Sequence, residues 1–192
     1  DETKIVTRLF ESGLETFHLR KVHFSTKALG NYIKEIPEVF HSRIVLHTHH
    51  NLAYKYNVKG IHLGKYHRKN KIRTWIKLRI LYMKRPNMIV TTSFNKLQPL
   101  YENDSKYDYV FLAPIFDSLS GKYQSGYTEH ALREAQKKTM YKVIARGGIC
   151  MDVIPKVSEL GFEGLAFYTD IWNKKDPVNE FIKILDEMKR LG

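Results

Sequence analysis

The chain has little with which to cross-link itself. Cys150 is its single cysteine, which rules out an intrachain disulfide and a thiolate metal cluster and suits a reducing, cytoplasmic setting. No apolar run approaches the roughly 20 residues needed to span a membrane. No basic segment followed by an apolar one opens the sequence, as it would in a signal peptide. Ser-, Gly- or Pro-rich linkers and low-complexity tracts are missing too. The most unusual absence is acidic: no Asp or Glu occurs between Glu38 and Glu102, while lysine and arginine continue through that stretch from Arg43 to Lys96.

What is present describes a globular protein. Its 192 residues are 43% hydrophobic, enough for one sizeable core and short for two, so residues 1–192 are read as a single domain. The formal charge is +12, concentrated in the acid-free stretch, and such a field attracts phosphorylated metabolites, nucleic acid or anionic lipid.

Short apolar runs alternate with amphipathic stretches. The runs lie at 16–20, 44–48, 60–64, 88–93, 109–115, 143–147 and 164–169. Several are nearly continuous in apolar residues, such as Ile44-Val45-Leu46, as strands buried on both faces are. Between them, Ile5, Val6, Leu9 and Phe10 make a helical stripe closed by Gly13. Val153, Ile154, Val157 and Leu160 make another, closed by Gly161. A last one follows Asp176-Pro177. Strand then helix, repeated, predicts an α/β fold with a parallel sheet. A (β/α)8 TIM barrel needs eight strands. Seven are visible and the chain opens on a helix at Asp1, so the first strand is expected to lie ahead of the sequence. A doubly wound sheet would not need it.

Four groups of residues could carry chemistry. Arg146-Gly147-Gly148 ends the sixth visible run, and its glycines let backbone N–H groups approach a ligand. Tyr168-Thr169-Asp170 ends the seventh. In a barrel with one more strand in front, these are the loops after strands seven and eight, a common phosphate site. The histidines His18, His47, His49, His50, His62 and His67 gather on or after three consecutive strands. Three of them could ligate zinc. No nearby carboxylate is available to hold their second nitrogens, so hydrogen bonding in an anion pocket is the expectation and no metal is assigned. The run from Lys65 to Arg85 mixes basic residues with Trp75 and Tyr82, which is compatible with nucleic-acid binding. Its apolar spacing favours instead a helix covering the core with a solvated basic side. Cys150, opening a helical stretch, is read as an inert packed residue.

The order of motifs resembles thiamine phosphate synthase and its relative, the thiazole tautomerase, over nearly the whole chain. Thr16-Phe17-His18-Leu19-Arg20-Lys21 is similar to the family's Tyr-Gln-Phe-Arg-Glu-Lys strand. Gly60-Ile61-His62-Leu63-Gly64 resembles Gly-Val-His-Leu-Gly. Asp108 to Phe116 resembles Asp-Tyr-Val-Gly-Leu-Gly-Pro-Ile-Tyr. Ala145-Arg146-Gly147-Gly148-Ile149 and Leu160-Gly161-Phe162-Glu163-Gly164 match two further motifs.

The resemblance implies a reaction and a site. A pyrimidine diphosphate and a thiazole phosphate are joined, with release of pyrophosphate. The resemblance places Arg20 and Lys122 on pyrophosphate, with Ser118 and Ser120 in the place of the family's threonines. Gly147, Gly148 and Thr169 cradle the thiazole phosphate, with His18, His62, Arg146 and Tyr168 lining the pocket. His47 stands as a further cationic candidate beside Arg20. The chain departs from the family at its Mg2+ aspartates, which align with Thr48 and His67. Mg2+ prefers oxygen ligands that include carboxylate, so this metal site looks lost and no cofactor is expected. The tautomerase's histidine aligns with Ser93. Two alternatives stay open beside the synthase: a relative that binds a phosphorylated heterocycle without Mg2+-dependent synthesis, and a nucleic-acid-binding protein using residues 65–85. A homo-oligomer is also left open.

Overall fold

The computed structural model describes residues 1–102, 107–116 and 127–191. Seven strands appear where the apolar runs predict them: β1 (Phe17–Leu19), β2 (Ile44–Leu46), β3 (Gly60–Leu63), β4 (Ile89–Phe94), β5 (Tyr109–Leu112), β6 (Val143–Arg146) and β7 (Gly164–Ala166). They form one sheet in chain order. The β1–β2, β2–β3, β5–β6 and β6–β7 pairs are parallel. This is the α/β fold with a parallel sheet. Two strands end three residues before their runs do. β5 stops before Pro114, which has no N–H to give a ladder. β7 stops at Ala166 because Thr169 already begins a helix. By compactness the chain divides into residues 1–91 and 92–192, each described below by itself. Among the described residues no helix is long and apolar enough to cross a membrane.

In the first unit, α1 (Glu2–Glu11) buries Val6, Leu9 and Phe10, residues three and four apart on one helix face. α2 (Thr26–Glu35) starts at Ser25, whose Oγ accepts the Ala28 N–H at 3.1 Å, and buries Leu29 and Ile33. Leu19, Ile44 and Leu46 are fully buried with them. His41 is also structural: its Nε2 lies 2.9 Å from the carbonyls of Ile33 and Ile36.

After β3 come α3 (Lys65–Lys69) and α4 (Lys71–Lys84). Here the structure corrects the sequence reading. Only Thr74 and Leu81 of α4 are buried, whereas Trp75 is 61% and Ile72 79% exposed. Those two residues, seven apart, give a narrow contact line rather than a broad apolar face. Polar contacts hold the helix and its end instead. Thr74 Oγ1 donates to the His67 carbonyl at 2.8 Å, and the Arg85 guanidinium donates to the Tyr56 and Val58 carbonyls.

The second unit carries α5 (Glu129–Lys138), capped by Thr128, α6 (Ile154–Glu159), the single-turn α7 (Thr169–Trp172) and α8 (Pro177–Leu191). Asp176 accepts from the N–H groups of Val178 and Asn179, and Pro177 opens the helix where its missing N–H costs nothing. Val110, Leu112, Val143 and Ala145 pack with Leu132, Ala135 and Val157 into the core of this unit. The alternation of β5 and β6 turns Phe111, Ile144 and Arg146 to the opposite face.

Removing a side chain from the middle of this packing tests it. Leu46→Ala, at a position with no exposure, is expected to lower stability by about 2–5 kcal/mol. The midpoint of urea unfolding followed by circular dichroism measures this.

Candidate functional site

Parallel pairing places three histidines together. His18 is in register with Val45, and Val45 with Gly60. Side chains on a strand alternate between faces, so His47 and His62, two residues further on, share the face of His18. Their rings meet there. His18 Nδ1 lies 2.8 Å from His47 Nε2, and the His47 and His62 rings stack with centroids 4.1 Å apart. His62, 5% exposed, also holds Thr91 Oγ1 through its Nδ1 at 2.9 Å. Arg20 follows β1 on the parity of His18. It is exposed and has no hydrogen bond, ion pair or ring contact among the described residues, so its guanidinium is available to an anion.

His49 does not join this group. Its φ of 50° turns the chain after β2, and its ring nitrogens meet Thr26 Oγ1 at 2.9 Å and the Phe24 carbonyl at 2.7 Å, tying down the loop before α2. Lys21 is occupied as well, paired with Glu2.

A second cluster occupies the positions aligned with the family's aspartates. Thr48 Oγ1, His50 Nε2 and His67 Nδ1 are buried atoms without a hydrogen-bond partner among the described residues. The His50 and His67 rings lie 4.9 Å apart. Burial, reinforced by His67, lowers the His50 pKa from 6.5 to about 4, although hydrogen bonding to the backbone of His47 and His62 partly offsets this. Burial and then Lys77 lower that of His67. Both rings are therefore neutral at pH 7. A hydroxyl and neutral imidazoles, with no acid between Glu38 and Glu102, do not make the oxygen-rich shell that Mg2+ requires.

The glycine pair sits in the second unit. Gly147 has φ +90° and Gly148 φ +66°, a region that L-residues rarely enter. Arg146 is in register with Ala166, so this turn and the Tyr168-Thr169 turn follow neighbouring strands, about 4.8 Å apart. The backbone N–H groups of Gly148, Ile149 and Thr169 donate no hydrogen bond to the described residues, and Tyr168 and Thr169 are exposed. Arg146 places its guanidinium 5.2 Å above the Phe111 ring, on the face opposite the helix-packed core. Ser118, Ser120 and Lys122 lie outside the described residues. Cys150 is a half-buried free thiol packed against the core.

Sequence reasoning collected the histidines but missed Thr91, the partner of His62. A threonine inside a strand carries no local signal, and only the neighbouring strand gives it a role. It also missed that the glycine pair has a packing duty. A Cβ on Gly148 would lie 2.4 Å from the Phe116 carbonyl oxygen, and one on Gly147 2.8 Å from Pro114 Cα.

Two outcomes follow. Gly148→Val is expected to cost about 2 kcal/mol or more of stability, because backbone must move and φ is positive. Thermal unfolding of the variant measures this. His50 titrates below its ordinary value when folded. Its contribution is present above pH 6.5 and lost as pH falls toward 4, where the unfolded chain takes up the proton and the folded one does not. Stability measured between pH 7 and 4 should fall less steeply in His50→Gln.

Known proteins resemble this chain in sequence and fold. The family model described as thiamine monophosphate synthase matches residues 1–171. The chain is similar to the solved thiamine phosphate pyrophosphorylase from Bacteroides thetaiotaomicron at 31% identity and a TM-score of 0.73, covering 99% of this chain and 90% of that one. The Pyrococcus furiosus thiamine phosphate pyrophosphorylase shares the fold, with a TM-score of 0.77 at 17% identity, covering 100% of this chain and 91% of that one. A thiamine-phosphate synthase of Vibrio campbellii is 25% identical over 182 residues, 91% of this chain and 84% of its own. The match runs through the histidine-bearing strands and the glycine pair alike, and the chain belongs to the thiamine monophosphate synthase family.

Proposed function

We propose that the protein joins a pyrimidine diphosphate to a thiazole phosphate, forming thiamine phosphate and releasing pyrophosphate. The (β/α)8 form of the fold is part of that reading. Beyond family membership, the observation that carries it is the pair of turns after β6 and β7. They offer N–H groups of Gly148, Ile149 and Thr169 that donate to no acceptor among the described residues, on neighbouring strands, which is how backbone holds a phosphate. In the reaction the C–O bond between the pyrimidine methylene and the diphosphate breaks, and the electron pair leaves with pyrophosphate. The thiazole nitrogen then supplies its lone pair to the cation-like methylene. Arg20, exposed and without a partner among the described residues, neutralises charge on the departing pyrophosphate. The acid-free stretch leaves the surrounding field positive. His18, His47 and His62 line the same sheet face as Arg20.

A second reading has its own support. Thr48 and His67 do not fit Mg2+, and a relative that binds the phosphorylated thiazole without completing the synthesis would tolerate that loss.

Incubation of the protein with both precursors, with chromatography of the products, separates the readings. Thiamine phosphate should form at a rate that millimolar Mg2+ leaves unchanged. Arg20→Ala should lower kcat/KM by about 100-fold or more, the scale of one lost charge-stabilising contact. Activity that appears only with Mg2+ would overturn the account of the aspartate positions. Saturable binding of the thiazole phosphate with no product would favour the second reading.

A further inference from the structure

We propose that His18, His47 and His62 form a binding site for one divalent transition-metal ion, of the zinc or cobalt type. One ring nitrogen of each lies within 4.8 Å of the other two. Zn–N bonds of 2.0–2.1 Å in a tetrahedron place ligand nitrogens about 3.3 Å apart. The His18 and His47 nitrogens, now 2.8 Å apart in a hydrogen bond, need to separate by about 0.5 Å for both to face one ion. The ladder from β1 to β3 supplies the rigid base.

No carboxylate lies near these histidines in sequence to hold their outer nitrogens. The structure gives His62 a different outer partner. Its Nδ1 bonds to Thr91 Oγ1 at 2.9 Å, a contact that leaves Nε2 with the lone pair when Nδ1 carries the proton. Thr91 has no exposure, so this hydrogen bond does not compete with water.

The donor set selects the metal. Three imidazoles suit zinc, cobalt, nickel and copper, whereas Mg2+ asks for oxygen. Three protein ligands leave a fourth position for water or an anionic oxygen, the arrangement of reactive rather than structural zinc sites. Arg20 follows β1 on the same face, so an oxygen held there would come from a negatively charged ligand. Metal binding is independent of the synthase reading and is measured without turnover.

The test uses the full chain stripped of metal with a chelator and then titrated with Co2+. We expect visible ligand-field bands that saturate at one Co2+ per chain, bleach on addition of Zn2+ and ignore a large excess of Mg2+. His18→Gln and His47→Ala should each weaken binding about 100-fold, and Thr91→Val about 10-fold or more, as removal of an outer partner does. His23→Ala, at an exposed histidine outside the group, should bind as the parent does. Circular dichroism confirms folding of each variant. Should His62 variants fail to fold, the His18, His47 and Thr91 substitutions carry the test. The proposal is overturned if no stoichiometric Co2+ or Zn2+ binds. Binding that survives both His18→Gln and His47→Ala, or that is lost only in His67→Ala, would overturn it too.

Discussion

Hydrogen bonding between β1, β2 and β3 fixes which residues of this protein can act together. Phe17 pairs with Ile44, His18 with Val45 and Leu46 with Ile61, and these contacts leave no freedom in register. A slip of one residue would exchange the faces of a strand. It would carry Leu19 and Leu46, both buried, away from α1 and α2 and turn the histidines into the core. The apolar face and the histidine face are thus held in place by the same constraint. The cost of exposing one is what keeps the other assembled.

The electrostatics of this face come from what is missing around it. Carboxylates beside His47 or His67 would hold a hard cation and draw the imidazoles toward the charged form. Without them, burial is the largest influence on His50 and pushes its pKa to about 4, and burial lowers His67 as well. The result is a neutral nitrogen donor at His67, where the family resemblance expects a carboxylate, with the neutral His50 ring beside it. In the proposed reaction, charge for a phosphorylated substrate comes from fixed cations such as Arg20, since a guanidinium stays charged across the physiological pH range.

The turn after β6 shows how closely packing and ligand binding can be joined. Gly147 and Gly148 adopt positive φ and pass within contact of Pro114 and Phe116. The N–H groups of Gly148 and Ile149 in this turn donate to no acceptor among the described residues. A residue with a side chain would fail on both counts, so loss of ligand in such a variant cannot be separated from distortion of the loop.

Much of the fold is legible in the sequence because its signals are local. Continuous apolar runs mark the seven strands, three- and four-residue spacing marks α1 and α8, and Asp176-Pro177 marks the start of α8. The family motifs, the glycine pair and the loss of acid at Thr48 and His67 are likewise matters of residue identity. Spatial partnership is not. The sequence places six histidines near three strand ends, but it cannot say that His47 joins His18 and His62 while His49 turns away to Phe24 and Thr26. It does not reveal Thr91 behind His62. It gives α4 an apolar face that the structure leaves largely exposed. Local periodicity reports which element a segment forms, because backbone geometry repeats within it. Which side chains meet depends on register between strands distant in sequence and on how far each helix approaches the sheet, and only the tertiary structure decides that.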